Sequence, residues 1–126
     1  MFRVTRQEPP MKTILVVEDD EAFAYAASRS LETAGYNVVR VADSLAGLKA
    51  VEKTPVDLIL ADVRMPRGAP HGFAFGRVVH NRLRALPIVY MTAYPELAEE
   101  DAAPVLRKSD GVEAIVAAVR AQLAAD

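Results

Sequence analysis

The sequence predicts an α/β fold, a doubly wound parallel sheet of five strands in three layers. Three observations predict it. Short apolar runs alternate with longer segments of helical period, and right-handed crossovers between such strands lay a helix on each face of the sheet. The first and third runs are continuously apolar, as in strands covered on both faces. A chain of 126 residues, 52% of them hydrophobic, has room for one domain of this kind.

Residues 1–10 carry Arg3 and Arg6 but no apolar stretch, so they make no secretory signal. With Pro9-Pro10 closing them, they are expected to be a flexible extension ahead of a domain over 11–126. Ile14-Leu15-Val16-Val17 is the first strand. From Glu21, the residues Phe23, Ala26, Ala27, Leu31 and Ala34 recur at helical spacing, and Gly35 supplies the left-handed stop. Asn37 to Val41 is the second strand, and Asp43-Ser44 can cap a helix carrying Leu45, Leu48 and Val51. Asp57-Leu-Ile-Leu-Ala-Asp62 is a third, buried strand. After a proline- and glycine-rich loop from Arg64 to Gly72, Phe75, Val79, Leu83 and Leu86 share one helix face. Arg77, His80, Asn81 and Arg84 lie opposite, and Pro87 breaks the helix. Ile88 to Met91 is the fourth strand, running into Thr92. Glu96 to Asp101 has little apolar period, and a very short fifth strand lies around Val105-Leu106. For the last helix, Asp110 is the predicted N-cap, Glu113 completes a variant capping box, and Val112, Ile115, Val116, Val119 and Leu123 form the apolar stripe. No repeat or internal domain boundary is visible.

Composition narrows the chemistry. A net charge of −2 gives no bulk attraction to nucleic acid or an anionic membrane. No apolar run approaches the roughly 18 residues that span a bilayer. The absence of cysteine removes disulfides, thiolate metal sites and thiol catalysis, and it fits a reducing compartment, with the cytoplasm as the expected location. Two histidines, His71 and His80, are too few for a histidine-rich metal site, so a metal would be held by oxygen.

In an open parallel sheet, ligands gather beyond the carboxyl ends of the strands. Those ends are Glu18-Asp19-Asp20 after the first strand, Asp62 on the third, Thr92 on the fourth and Arg107-Lys108 after the fifth. Crowded carboxylates repel one another unless a cation is present, and oxygen-only ligands suit Mg²⁺. Beside a metal and a lysine, Asp62 is a plausible nucleophile toward phosphorus, giving an aspartyl phosphate. A phosphate-cradling Gly-x-x-x-x-Gly-Lys loop is absent, which argues against an NTPase. Arg64 stands where a phosphatase of the aspartate-nucleophile type has its second aspartate.

Four segments together are similar to the receiver domains of two-component response regulators: Ile-Leu-Val-Val-Glu-Asp-Asp at 14–20, Ile-Leu-Ala-Asp-Val-Arg-Met-Pro at 59–66, Tyr-Met-Thr-Ala at 90–93 and Val-Leu-Arg-Lys at 105–108. The resemblance covers nearly everything after Met11. It implies a flavodoxin-like sheet of order 2-1-3-4-5. It makes Asp62 the phosphoacceptor, served by a histidine kinase or histidine phosphotransfer protein. Mg²⁺ would be held by Asp19, Asp62 and the backbone carbonyl of Arg64, with Glu18 acting through water. Thr92 becomes the switch hydroxyl and Lys108 the ion-pair partner of the phosphoryl oxygens, while Asp20 is read as a helix cap. The only chemistry implied is self-phosphorylation and self-dephosphorylation, not enzymatic turnover. Phosphorylation, which adds roughly −1.5 to −2 charges, then shifts a two-state equilibrium.

The sequence also departs from the family. Between Pro95 and Pro104 it can supply about one or two helical turns, so the fourth helix is expected to be short or missing. Thr92-Ala93-Tyr94 is similar to the Thr-Gly-Tyr signature of a subgroup with that feature. Val105 replaces the aromatic residue that swings with the threonine, and Tyr94 is a candidate substitute. Ser109 replaces the proline after the lysine, so a trans bond is expected. His71 replaces an aspartate and is read as a solvated loop residue. If the sequence is the whole protein, no effector is expected after the last helix, and output is expected through contacts with an unidentified downstream protein or competition for phosphate. The alternative is a receiver-like interaction module that binds a partner without being phosphorylated.

Overall fold

The structure is a computed structural model that describes residues 11–66, 69–94 and 105–124. Strands β1 (Thr13–Val17), β2 (Asn37–Val41), β3 (Leu58–Asp62), β4 (Ile88–Thr92) and β5 (Val105–Arg107) form one sheet in the order β2-β1-β3-β4-β5. Every neighbouring pair is parallel, as the fold class predicts. Helices α1 (Glu21–Thr33), α2 (Ser44–Lys53), α3 (Gly72–Arg82) and α4 (Val112–Ala124), with a 3-10 turn at Lys108–Asp110, complete the described elements.

Successive strand residues face opposite sides of a sheet, which explains the unbroken apolar runs. Ile14 and Val16 of β1 enter a core with Ala27 and Leu31 of α1 and Ile115 and Val119 of α4. Leu15 and Val17 enter a second core, with Phe75 and Val79 of α3 and the half-buried Leu48 and Val51 of α2. Among the described residues, each face is thus covered by two helices.

The helix boundaries follow local chemistry. Asp20 Oδ1 accepts the Phe23 N–H at 3.2 Å to cap α1. The helix ends in a Schellman arrangement, with Gly35 N–H donating to Glu32 O at 3.0 Å and Tyr36 N–H to Leu31 O at 3.1 Å. Gly35 has φ of 103°, a conformation that glycine adopts freely. Asp43 Oδ1 accepts the Ala46 N–H at 2.8 Å and caps α2 as expected.

Four expectations need correction. The residue before a proline avoids the helical region, and α3 ends at Arg82, well before Pro87. Leu83 is therefore 42% exposed rather than in the core. His80 does not lie on a solvated face; it is half-buried, and its Nε2–H donates to Leu86 O at 2.7 Å, tying the end of α3 to the turn that follows. Leu45 is 50% exposed, because α2 buries Ser44 and Gly47 instead. Asp110 is not the N-cap of the last helix: Lys108–Asp110 forms a 3-10 turn and Gly111, with φ of 91°, intervenes before α4.

His71 is exposed, as expected of a loop residue, but its Nδ1 accepts the Phe73 N–H at 3.3 Å and caps α3. Among the described residues there is no cis peptide bond, and no helix is long and apolar enough to cross a membrane. The expected extension over 1–10 and the expected short or missing helix between Pro95 and Pro104 lie outside the described residues.

Candidate functional site

The order in which strands are added reverses between β1 and β3, and the register there builds the site. Val17 is aligned with Ala61, so the residues that follow, Glu18 and Asp62, emerge side by side. Asp19 comes next in the chain. Carboxylate oxygens of Glu18, Asp19 and Asp62 all lie within 4.8 Å of one another. Glu18 is 3% and Asp62 6% exposed, while Asp19 faces solvent.

Lys108 enters from the turn after β5. Its Nζ lies 2.9 Å from Asp62 Oδ2 and is also ion-paired with Glu18 Oε1. The remaining oxygens meet backbone donors: Glu18 Oε2 accepts the Asp20 N–H at 3.1 Å, and Asp62 Oδ1 accepts the Arg64 N–H at 3.2 Å. The lysine thus neutralises part of a cluster that would otherwise repel itself.

Burial pushes the Glu18 carboxyl from 4.5 up to about 7. The hydrogen bond from Lys108 works against that rise, and the neighbouring negative charge of Asp62 adds to it. For Lys108, burial alone would lower the pKa, but hydrogen bonds to Glu18 and Asp62 and their negative charges prevail and raise it. The ammonium therefore stays charged across the neutral range. The donor set is entirely oxygen and negatively charged, which suits a hard divalent cation such as Mg²⁺.

The structure brings Glu18, Asp19, Asp62, Arg64 and Lys108 together. Thr92 sits in the adjacent strand but is fully buried. Its hydroxyl oxygen accepts the Tyr94 N–H at 3.0 Å, and the hydroxyl lies 3.4 Å from Tyr94 O. It thus closes a local turn with Tyr94. The crevice over the site, ≈ 390 Å³, is lined by Asp19, Asp62, Arg64, Tyr94 and Lys108 among others. Across it, the Arg64 guanidinium lies 4.6 Å from the Tyr94 ring centroid.

Two contributors escaped the sequence reading. Gly72 packs directly on the end of β3: its N–H donates to Val63 O at 2.8 Å, and a Cβ there would lie 2.4 Å from Asp62 O. Phe23 fits the apolar stripe of α1, yet its ring lies under the Lys108 ammonium, 4.8 Å from Nζ to centroid. A glycine opening a helix and an aromatic residue one turn beyond the acids were the available signals.

A doubly wound parallel sheet with an acid cluster and a lysine at its topological switch point suits the binding of a divalent cation and a phosphoryl group. The chain belongs to the response regulator receiver domain family, whose sequence profile matches residues 14–120. It is 33% identical over 85 residues to the alkaline phosphatase synthesis transcriptional regulatory protein PhoP of Bacillus subtilis, covering 68% of this chain and 35% of PhoP. It is 30% identical over 125 residues to the DNA-binding dual master transcriptional regulator RpaA of Synechocystis, covering 90% of this chain and 49% of RpaA. The chain therefore spans a third to a half of the length of these relatives. Among solved structures, chemotaxis response regulator CheY4 of Vibrio cholerae has a TM-score of 0.79 at 26% identity, covering 90% of this chain and 100% of CheY4. TrrA of Thermotoga maritima, solved in complex with Mg(2+)-BeF, has a TM-score of 0.81 at 24% identity, with 90% and 100% covered. Receiver domains serve as phosphoacceptors in two-component signalling, and this chain is a member of that class.

Proposed function

We propose that Asp62 accepts a phosphoryl group from a histidine kinase or histidine phosphotransfer protein in the cytoplasm, and that the modified domain signals through contacts with a downstream protein. The observation that carries this reading is the convergence of Asp62 with the carboxylates of Glu18 and Asp19 and with the Lys108 ammonium, which lies 2.9 Å from Asp62 Oδ2 and is also paired with Glu18. An Asp62 oxygen attacks phosphorus as the bond to the donor's imidazole nitrogen breaks; the nitrogen keeps the electron pair and takes up a proton. Attack by water on the same phosphorus later returns the carboxylate and releases inorganic phosphate. Glu18, Asp19, Asp62 and the Arg64 carbonyl would hold Mg²⁺, which when bound offsets charge on the transferring oxygens.

Lys108, paired with both Asp62 and Glu18, supplies a second positive charge. Thr92 is the switch: to reach a phosphoryl oxygen its hydroxyl must leave the turn it closes with Tyr94, and Tyr94 moves with it. Acetyl phosphate with Mg²⁺ tests the reading. Intact-mass analysis should show one phosphoryl adduct on the wild type and none on Asp62→Asn. Equal labelling of both proteins would place the acceptor elsewhere. No labelling of the wild type by acetyl phosphate or by a panel of kinases would favour an unphosphorylated interaction module.

A further inference from the structure

Phe23 has no part in the chemistry described so far. Its half-buried ring packs against the core between α1 and α4, and one side of it faces Lys108. The Lys108 side chain, 12% exposed, therefore has three partners: the Glu18 carboxylate, the Asp62 carboxylate and an aromatic face. A cation over such a face is held by the ring quadrupole, more strongly when water is excluded.

These partners respond differently to a divalent cation. An ion bound by Glu18, Asp19 and Asp62 draws on the same two carboxylates that hold Lys108, and its own charge repels the ammonium. The ring is not a ligand for that ion, so its attraction for Lys108 remains. Lys108 stands at the start of a short 3-10 turn on a flexible four-carbon stem, and with weakened carboxylate contacts it is free to swing into solvent.

We propose that Phe23 is a positioning residue that keeps the Lys108 ammonium over Asp62 when the acid cluster is loaded with a divalent cation. The ammonium is then in place when a phosphoryl oxygen arrives. The inference rests on the reading of Asp62 as phosphoacceptor. Without the ring, a smaller fraction of metal-loaded molecules has Lys108 in place, and the phosphorylation rate falls in proportion to that fraction.

The test uses the full chain with Phe23→Leu, which keeps apolar bulk without a π face, and Phe23→Tyr, which restores the face. Phe23→Met replaces the leucine variant if that one does not fold. The first readout needs no phosphoryl transfer: competitive acetylation of the Lys108 amine by acetic anhydride, followed by mass spectrometry. In saturating Mg²⁺, Phe23→Leu should label about five- to tenfold faster than wild type, and Phe23→Tyr within twofold of it. Without Mg²⁺ the difference should shrink below about twofold, because both carboxylates again hold the lysine.

The second readout is the rate of phosphorylation by acetyl phosphate. It should drop about five- to tenfold in Phe23→Leu at an unchanged Mg²⁺ affinity, recover in Phe23→Tyr, and show no further loss when Phe23→Leu is added to Lys108→Ala. Equal Lys108 labelling of wild type and Phe23→Leu in Mg²⁺ overturns the proposal. So does a rate loss that persists in the Lys108→Ala background. If the wild type takes up no phosphoryl group, the Asp62 reading fails, and the labelling data alone decide the role of Phe23.

Discussion

Substituting Glu18 by glutamine in magnesium-free solution exposes how much the acid cluster costs the fold. In the folded protein burial holds the Glu18 carboxyl near 7, against 4.5 when it is solvated. Below pH 4.5 the folded and unfolded chains both carry the proton, and the whole contribution to stability is present. Between 4.5 and about 7 the unfolded chain has released its proton while the folded chain retains it. In that window each pH unit removes up to about 1.4 kcal/mol. Above the folded value both forms are ionised and the slope vanishes. The glutamine variant has no proton to release at this position. The difference in unfolding free energy between the two proteins should therefore move by about 3 kcal/mol in favour of Glu18→Gln from pH 4.5 to pH 8. Titrating groups that do not touch Glu18 cancel in that difference. The assay is urea unfolding followed by far-UV circular dichroism, in EDTA, at half-unit pH steps. With excess Mg²⁺, which binds the ionised carboxylate, the wild type should recover relative to the variant at pH 8. A difference that stays constant within about 0.5 kcal/mol across the pH range would refute the argument, since one unit of real pKa displacement already exceeds it.

Three further substitutions probe the frame around the site. Gly72→Ala places a Cβ 2.4 Å from Asp62 O and 2.8 Å from Val63 Cα. These are backbone atoms, so α3 and β3 must separate; a loss of about 2–4 kcal/mol in chemical denaturation is expected, with weaker Mg²⁺ binding as Asp62 is displaced. Asp43→Ala removes the carboxylate that accepts the Ala46 N–H at 2.8 Å and should cost about 1 kcal/mol, read as a lower thermal midpoint. Thr92→Val preserves buried volume but removes the acceptor of the Tyr94 N–H. Acetyl phosphate should still label Asp62 in that variant, while the Tyr94 amide resonance, which moves on phosphorylation of the wild type, should no longer respond.

Features that repeat along the chain were the legible ones. Continuous apolar runs marked β1 and β3 because each is covered on both faces, and the acids were readable as a cluster because parallel strands end together. Once Val17 is opposite Ala61, Glu18 and Asp62 must meet. Features that depend on a single contact were not readable in this way. Leu83 fits the period of α3, but the turn before Pro87 unwinds the helix ahead of it. Asp110 and Glu113 have capping-box spacing, but Gly111 takes a left-handed conformation between them and helix starts after it. Nothing in periodicity says that Thr92 turns its hydroxyl back onto Tyr94, since the alternative orientation has the same strand, the same burial and the same neighbours in sequence.

The placement of Lys108 explains how one cluster can serve two states. Three carboxylates this close together are unstable as a set unless positive charge sits among them, and with no metal that charge comes from the chain itself. Lys108 holds Glu18 and Asp62 together and offsets only part of the rise that burial imposes on the Glu18 pKa, so the folded domain arrives at its ligand already shaped but incompletely neutralised. A divalent cation completes the neutralisation and competes with the lysine for the same oxygens. A phosphoryl group on Asp62 would then restore negative charge on the lysine's side of the site and give the ammonium a new partner. The order of events matters: a lysine released at the second step has to return at the third. A surface that is neither acid nor ligand, such as the ring of Phe23, is what allows it to remain close by in between.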